Sequence, residues 1–535
     1  MNDKEPKQRS LAVAFSIYFA IFLLLLTPAV HHALLVNYSL FNFDGLVLLA
    51  GIGLISTIMT FFARHKDNIG YAVMVGGALS LLIDYLIADY FMPRAIWQIM
   101  QWASLSLVSG YLLWKLGPKS AQIVTAFCLA FLIGDITFDR SSVSVRMYEG
   151  QHSPAIEAVG DGSRPVIHLV FDAFQAPSAL PKGQAATAEI IRSYFVNNGF
   201  YLYDKAFSRY NRTYRSLPDA LNFGQDVVAP DLESSKVSHT TLFEHYLGQN
   251  QVLATMAAKG LNAHIIQTNH LDLCVPPPVR SSIRCSTYST NDLPRNKMLN
   301  LPIIKRLELF LMLIGEKTII YRAIRFVTNS FFGGIIVHVR SPLTDFIATD
   351  LTKKTIKSVD AKTYIFVHSL ISHSPYALNN KCLLRPVSEW SSDRRAKTIR
   401  QRKVAYRRYG QQLECSLKHV SEILDHVAQN PELKNAIVLI HGDHGSRISV
   451  NKIDDRTDVD LSNEDLLDNF PTLFAVRHPD IKPGIDNKPV ALDSLLRHYL
   501  KEMDTRPYPG PAESQIYLLQ KNGILSETHL DMGDQ

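Results

Sequence analysis

The sequence is poor in cysteine and lacks internal repeats and nucleic-acid-binding motifs. Only five cysteines occur among 535 residues, and the formal net charge of +6 comes from 55 basic and 49 acidic side chains. So small and diffuse an excess excludes the dense basic surface on which nucleic-acid binding depends, although it suits anionic lipid head groups. The sequence therefore predicts a membrane partner and no nucleic-acid partner.

Charged residues are scarce in the first 140 residues, where the sequence contains five apolar runs. They lie at about Leu11–Val30, Phe43–Phe62, Tyr71–Ile87, Ile96–Trp114 and Ala121–Phe138. Each approaches the roughly 20 residues that cross a bilayer core. The first run has no clear small-residue cleavage site, which favours an anchor over a signal peptide. We predict a domain of five transmembrane helices over residues 1–140, in which Asp84 and Asp135 are given no role.

Lysine and arginine are concentrated in alternate short loops of this region. These cations are Lys4, Lys7, Arg9, Arg64, Lys66, Lys115 and Lys119. The positive-inside rule then places the N-terminus in the cytoplasm and, after five spans, the rest of the chain outside. The sequence predicts a multi-pass protein of a bacterial inner membrane, with a polar linker over residues 141–164 and an outward-facing domain over residues 165–535.

Cysteine usage agrees with an exported domain. Cys128 lies in the fifth apolar run, and the remaining four cysteines are Cys274, Cys285, Cys382 and Cys415. An even number in an oxidising compartment predicts two disulfides, although four cysteines allow three pairings. We favour the sequence-local pairing, Cys274 with Cys285 and Cys382 with Cys415. The alternative is four buried free thiols.

After residue 164, apolar strands alternate with helical segments. The predicted strands are Val166–Phe171, Phe200–Ala206, Leu261–Gln267, Thr363–Val367 and Ile437–Ile440, and a helix is predicted at Ala186–Val196. This alternation predicts a large α/β domain whose mostly parallel sheet is covered by helices on both faces.

Two stretches depart from the alternation. Residues 301–337 are apolar but interrupted by charges, which fits helices on a membrane surface or amphipathic helices packed on the core. Arg394–Arg408 carries eight Lys or Arg in fifteen residues and opens a helix predicted to run to about Val427. Its basic face is either solvated or in contact with lipid phosphates.

Polar side chains follow three of the predicted strands. Asp172 ends the first, Asp443 and His444 end a later one, and His368 and His373 come from another. In open α/β sheets, ligand-binding and active sites lie beyond the carboxyl ends of the strands. Asp and His are suitable ligands for a borderline divalent metal.

A helix predicted after Arg212 has two hydroxyls one turn apart, Thr213 and Ser216. Backbone N–H groups at a helix N-terminus favour a bound phosphate. A hydroxyl held against a divalent metal is activated as a nucleophile.

In chain order the motifs are Asp172, Thr213-x-x-Ser216-x-Pro218, His373-x-Pro375-Tyr376 and Asp443-His444-Gly445. This set resembles the sulfatase-like branch of the alkaline phosphatase superfamily. With the apolar runs before it, the chain looks like the membrane-bound phosphotransferases of that branch, such as lipid A phosphoethanolamine transferases and lipoteichoic acid synthases.

The resemblance implies one divalent metal, zinc in preference to manganese, held by Asp172, Thr213, Asp443 and His444. Thr213 would become transiently phosphorylated. His373 would contact the transferred group or protonate a leaving oxygen, whereas His368 would be structural or support the site. Arg447 would contact substrate or, equally, lie solvated at the surface.

The implied reaction moves a phosphoethanolamine or phosphoglycerol type of group from a phospholipid donor to an envelope glycan or lipid acceptor. One alternative is a hydrolase of phosphate or sulfate esters with the same fold. Another is a catalytically inactive, membrane-anchored module that helps to assemble the envelope.

The sequence departs from the family pattern at three places. Asp172 stands where the phosphoethanolamine transferases have Glu, and Asn451–Asp468 lacks the additional histidine that they carry. The formylglycine motif of sulfatases, Cys/Ser-x-Pro-x-Arg, is matched from Ser216 to Asp219 but ends in Ala220. We therefore expect Ser216 to remain an ordinary serine, and the transferred group stays open.

Overall fold

The computed structural model falls into two compact units, which are described separately. The residues that it describes are 11–35, 43–65, 68–87, 95–117, 120–137, 143–149, 164–224, 245–274, 282–288, 302, 345–386, 389–390, 398–451, 453, 461–519 and 525–533. The predicted amphipathic segment 301–337 lies outside the described residues except for Pro302.

Within the described residues, the first unit contains five helices, one for each apolar run. They are α1 (Leu11–Leu35), α2 (Phe43–His65), α3 (Asn68–Ile87), α4 (Ala95–Leu116) and α5 (Ser120–Thr137). Helices α3 and α4 pack closely where a Cβ on Gly76 would lie 3.1 Å from the Cα of Gly110. Ser80 and Ser109 share a hydrogen bond of 3.0 Å beside this contact.

Among the residues that the structure describes, no helix combines the length and the apolar character needed to cross a membrane. The five predicted spans therefore stay a prediction. The side chains of Asp84 and Asp135 lie outside the described part of the chain.

The second unit is an α/β domain. Its strands are β1 (Val143–Glu149), β2 (Val166–Phe171), β3 (Tyr201–Tyr203), β4 (Ala206–Phe207), β5 (His245–Tyr246), β6 (Asn262–Thr268), β7 (Leu271–Asp272), β8 (Ser282–Tyr288), β9 (Thr363–Ser369), β10 (Ile437–Gly442), β11 (Phe474–Arg477), β12 (Gly484–Asp486), β13 (Val490–Ala491), β14 (Gln515–Leu519) and β15 (Leu525–His529). Its helices are α6 (Ala185–Asn197), α7 (Thr213–Leu221), α8 (Gln251–Ala258), α9 (Asp345–Ser358), α10 (Ile399–Gln429), α11 (Asn463–Leu467) and α12 (Leu492–Leu496), the last continued by a π-helix at Arg497–Lys501.

Nine of these strands form one sheet in the order β1–β8–β6–β9–β2–β10–β11–β3–β12. The run from β8 to β10 is parallel throughout. Every residue of β2, β9 and β10 is buried, as expected when both faces of a parallel sheet are covered. The predicted mostly parallel α/β sheet is confirmed.

Two local predictions need correction. Strand β1 lies inside residues 141–164, which were predicted to be a linker, and it pairs antiparallel with β8 at the sheet edge. Val145 and Met147 on β1 are exposed, and the strand is held at the sheet edge by its pairing with β8. The single strand predicted at Phe200–Ala206 is divided into β3 and β4 by a turn at Asp204.

Both predicted disulfides are present. Cys274 is bonded to Cys285 and Cys382 to Cys415, while Cys128 is a free, buried thiol. The second bond joins the loop after β9 to α10.

A buried chain of hydrogen bonds crosses the centre of the sheet. The Tyr364 hydroxyl donates to His168 Nδ1 over 2.9 Å, and His168 Nε2 lies 2.6 Å from His441 Nε2. His441 Nδ1 donates to the Gly442 carbonyl over 2.6 Å. These partners assign one proton to each imidazole. Burial lowers the pKa of both rings, that of His441 to about 4, which keeps them neutral.

We expect His168→Leu to lower the free energy of unfolding by about 1–3 kcal/mol, because it leaves the Tyr364 hydroxyl and His441 Nε2 buried without partners. The double variant His168→Leu/His441→Leu should cost less than the sum of the two single variants, since it removes both ends of the shared bond. Denaturant unfolding of the four proteins measures this coupling, and strict additivity would contradict it.

Candidate active site

The carboxyl ends of β2, β9 and β10 meet at one edge of the sheet. Register pairs Phe171 with Ser369 on one side and with Gly442 on the other. Asp172 and Asp443, one residue beyond β2 and β10, are therefore neighbours. Thr213 joins them as the first residue of α7.

Asp443 is fully buried, and its two carboxylate oxygens differ. Oδ1 accepts the backbone N–H groups of Ala173 at 2.8 Å and His444 at 2.9 Å. Oδ2 has no hydrogen-bond partner among the described residues. Burial alone would raise the pKa of Asp443, but the nearby His444 and His368 and the Ala173 N–H bring it below its usual value.

His444 presents a defined nitrogen to this site. Nδ1 donates to the Gly445 carbonyl over 2.8 Å, so the lone pair is on Nε2. Nε2 lies 3.4 Å from Asp443 Oδ2 and 3.7 Å from Asp172 Oδ1. Burial lowers the pKa of this imidazole, which favours the neutral form that metals bind.

Thr213 is placed between these groups. Its hydroxyl donates to Asp172 Oδ2 over 3.2 Å and lies 3.3 Å from His444 Nε2. The side chain of Arg212, at the N-cap position of α7, does not cap the helix, and backbone N–H groups at a helix N-terminus favour an anion. The predicted hydroxyl at a helix start is thus in contact with the predicted ligands.

These atoms fit a divalent cation. Asp172, Asp443 and His444 offer one ligand atom each within 4.8 Å of one another. Asp172 Oδ1 and Asp443 Oδ2 are buried and lack hydrogen bonds within the described part of the chain. Two buried carboxylates in that condition require a positive charge. An oxygen-rich set with one imidazole suits zinc and also manganese.

The glycines beside the Asp443–His444 pair are needed for close packing. A Cβ on Gly442 would lie 2.5 Å from the Phe174 carbonyl oxygen, and one on Gly445 would lie 2.8 Å from the Asp468 carbonyl oxygen. Neither has a positive φ, so close packing and not a left-handed backbone explains glycine at these two positions. Left-handed backbone occurs instead at Ala173 and Arg447, with φ of 60° and 57°.

His373 and Arg447 are joined to each other. Arg447 Nη2 donates to His373 Nε2 over 3.0 Å, and His373 Nδ1 donates to the Ser374 carbonyl over 2.5 Å. His373 Nε2 also lies 4.0 Å from Asp172 Oδ1, which brings the pair to the edge of the candidate metal site. Arg447 is thus held by His373.

His368, which the resemblance places in a structural or supporting role, lies beside the site, and a second residue there, Asp468, escaped the sequence reasoning. His368 is buried with both ring nitrogens unpartnered among the described residues, and its Nε2 lies 3.7 Å from Asp172 Oδ2. Asp468 accepts the Arg447 N–H on its carbonyl at 2.7 Å, while Arg402 clamps its carboxylate. Nothing local in the sequence marked Asp468.

Comparison with known proteins supports one family. Residues 313–501 match the sulfatase family model, and this matched segment contains His373, Asp443, His444 and Arg447. The resemblance to the sulfatase-like branch of the alkaline phosphatase superfamily is confirmed, and it supports a phosphoryl- or sulfuryl-transfer type of activity. No curated protein matches the sequence.

Solved structures resemble this chain only distantly. The periplasmic domain of EptC from Escherichia coli, in complex with Zn, is 12% identical with a TM-score of 0.39 and covers 72% of this chain and 95% of its own. A phosphonate monoester hydrolase of Agrobacterium radiobacter is 10% identical with a TM-score of 0.38, covering 66% and 80%. A putative sulfatase of Bacteroides fragilis is 13% identical with a TM-score of 0.37, covering 68% and 83%. Scores this low carry no argument about reaction or substrate.

Proposed function

We propose that the protein is a metal-dependent phosphotransferase that moves a phospho-substituent from a phospholipid to an envelope glycan or lipid. The observation that carries the proposal is the contact of the Thr213 hydroxyl with Asp172 and His444 at the start of α7. A hydroxyl there, rather than an activated water, favours a covalent intermediate.

The two half-reactions balance as follows. The Thr213 oxygen attacks the phosphorus of the donor, the bond from phosphorus to the diacylglycerol oxygen breaks, and diacylglycerol leaves with a proton. An acceptor hydroxyl then attacks the phosphorus of the phosphothreonine, the bond from phosphorus to the Thr213 oxygen breaks, and the proton lost by the acceptor balances the proton that restores the Thr213 hydroxyl. Asp172 Oδ2, 3.2 Å from the threonine oxygen, is placed to take the hydroxyl proton.

A divalent cation held by Asp172, Asp443, His444 and the Thr213 oxygen would lower the pKa of that hydroxyl. We favour zinc. Arg447 supplies positive charge for the phosphate oxygens. Because Arg447 occupies His373 Nε2, His373 can protonate a leaving oxygen only after that bond opens and Nε2 takes up a proton.

The activity can be tested with purified full-length protein and a phospholipid labelled in its head group. We expect the release of one equivalent of diacylglycerol per chain without acceptor and continuous release with acceptor, because the phosphothreonine reacts further only with an acceptor hydroxyl. Continuous release of the labelled head group into water without any acceptor would instead establish the hydrolase. The absence of either product with several head groups would favour the inactive module.

The proposed acceptor places the sulfatase domain outside the cytoplasm. We expect a reporter enzyme that works only outside the cytoplasm to be active when fused after Asp161 and inactive when fused after Lys66, because five spans separate the predicted cytoplasmic N-terminus from the domain. Activity measured in intact cells decides this. The reverse pattern would overturn both the span count and the location.

A further inference from the structure

The N-terminal half of α10 carries an open basic face. Arg400, Lys403 and Arg407 are exposed, and their spacing of three and four residues places them on one side of the helix. None of the three forms an ion pair with another described residue. Their charge therefore faces outward uncompensated within the described chain.

The opposite side of the same turns is neutralised. Arg402 makes hydrogen bonds of 2.8 and 2.7 Å to the Asp468 carboxylate and an ion pair of 2.7 Å to Glu464. Its side chain is only 12% exposed. Arg402 thus fixes the helix to the domain, whereas the exposed cations of the open basic face are available to a partner.

An apolar side chain stands beside the open cations. Ile399, the first residue of α10, is 83% exposed, the highest exposure among the large apolar side chains that the structure describes. Thr398 caps the helix by accepting the Gln401 N–H over 3.2 Å, so this first turn is formed and Ile399 is held outward. Apolar and basic side chains on one helix face are typical of contact with a bilayer surface.

Positive charge also accumulates behind this face. Arg385 contacts Gln411, one turn after Arg407 and Arg408 on α10. Burial and the nearby Arg408 and Arg407 lower the pKa of Arg385, and Glu389 is its acidic neighbour, at 3.8 Å. An external anion would reduce the electrostatic repulsion between Arg385 and the neighbouring Arg407 and Arg408.

We propose that the basic face of α10, formed by Ile399, Arg400, Lys403 and Arg407, docks on the surface of an anionic phospholipid bilayer. The three cations lie at lipid phosphates, and Ile399 enters the boundary with the acyl chains. Each cation near an anionic surface contributes roughly fivefold to the partition constant, so the three together give about a hundredfold.

The test uses the full chain in lipid nanodiscs, with Cys128→Ser as background and an environment-sensitive fluorophore on Ile399→Cys. We expect a blue-shifted emission in discs that contain phosphatidylglycerol and none in discs of phosphatidylcholine alone. The shift should disappear in Arg400→Glu/Lys403→Glu/Arg407→Glu and weaken with added salt.

Two controls share the same helix. A label on the exposed Ala428→Cys, about 40 Å further along the helix, should not respond to phosphatidylglycerol. The charge reversal Lys418→Glu should leave the shift at residue 399 unchanged. Equal emission in both kinds of disc, or a shift that survives the triple reversal, would overturn the docking surface. Thr213→Ala should keep the shift, so failure of docking and failure of the proposed reaction are distinguishable.

Discussion

Thr213→Ala is expected to lower turnover by about 10³-fold or more while the fold stays intact. The substitution removes the only atom that touches both Asp172 Oδ2 and His444 Nε2 at hydrogen-bond distance among the described residues. It removes little else, because alanine is well tolerated at the first position of a helix. Steady-state release of diacylglycerol and the far-ultraviolet circular dichroism spectrum measure the two effects.

Thr213→Ser is the matched control, since it keeps an oxygen at the same position. We expect it to retain measurable turnover and to form a phospho-adduct on residue 213, detectable by intact-protein mass spectrometry when acceptor is withheld. A donor-dependent adduct on another residue would remove Thr213 from its role.

Ser216→Ala separates the phosphotransferase from a sulfatase that uses formylglycine. Ser216 is fully buried, and its hydroxyl has no hydrogen-bond partner in the part of the chain that the structure describes. Position 220 holds Ala where the modifying motif requires Arg. We expect Ser216→Ala to remain active. Formylglycine at residue 216, or full activity in Thr213→Ala, would support the sulfatase alternative.

The sequence alone located the candidate site because each of its parts is marked locally. Asp172 and Asp443 directly follow apolar strands, and Thr213 begins a helix. Parallel pairing of β2 with β10 then brings these ends together without any further information. The roles of these residues as ligands and nucleophile stay predictions.

The features that could not be predicted from the sequence depend on contacts between distant segments of the chain. The hydrogen bond from Arg447 to His373 requires a left-handed residue at 447 and the carbonyl of Asp468 to hold it. The pair of His168 and His441 lies 273 positions apart in the chain. Strand β1 looks like a polar linker because its pairing with β8, and not its side chains, makes it a strand.

Removal of a ligand should abolish metal binding as well as turnover. We expect Asp443→Asn and His444→Ala each to reduce bound zinc from about one ion per chain towards none. Asp443→Asn changes charge with little change in volume, and His444→Ala removes the nitrogen that lies 3.4 Å from Asp443 Oδ2 and 3.7 Å from Asp172 Oδ1. Elemental analysis after dialysis and competition with a chelator give the metal content and affinity without reference to activity.

His368→Phe is the graded control for this experiment. His368 lies 3.7 Å from Asp172 Oδ2 and is outside the group whose ligand atoms converge. Because it lies beside the proposed ligand Asp172, we expect its loss to weaken zinc binding by about 10–100-fold without abolishing it. Added zinc should raise the midpoint of thermal unfolding of the wild type. The rise should be smaller for His368→Phe and absent for Asp443→Asn and His444→Ala. Full zinc content and an unchanged thermal shift in both Asp443→Asn and His444→Ala would place the metal elsewhere and remove the proposed activation of Thr213.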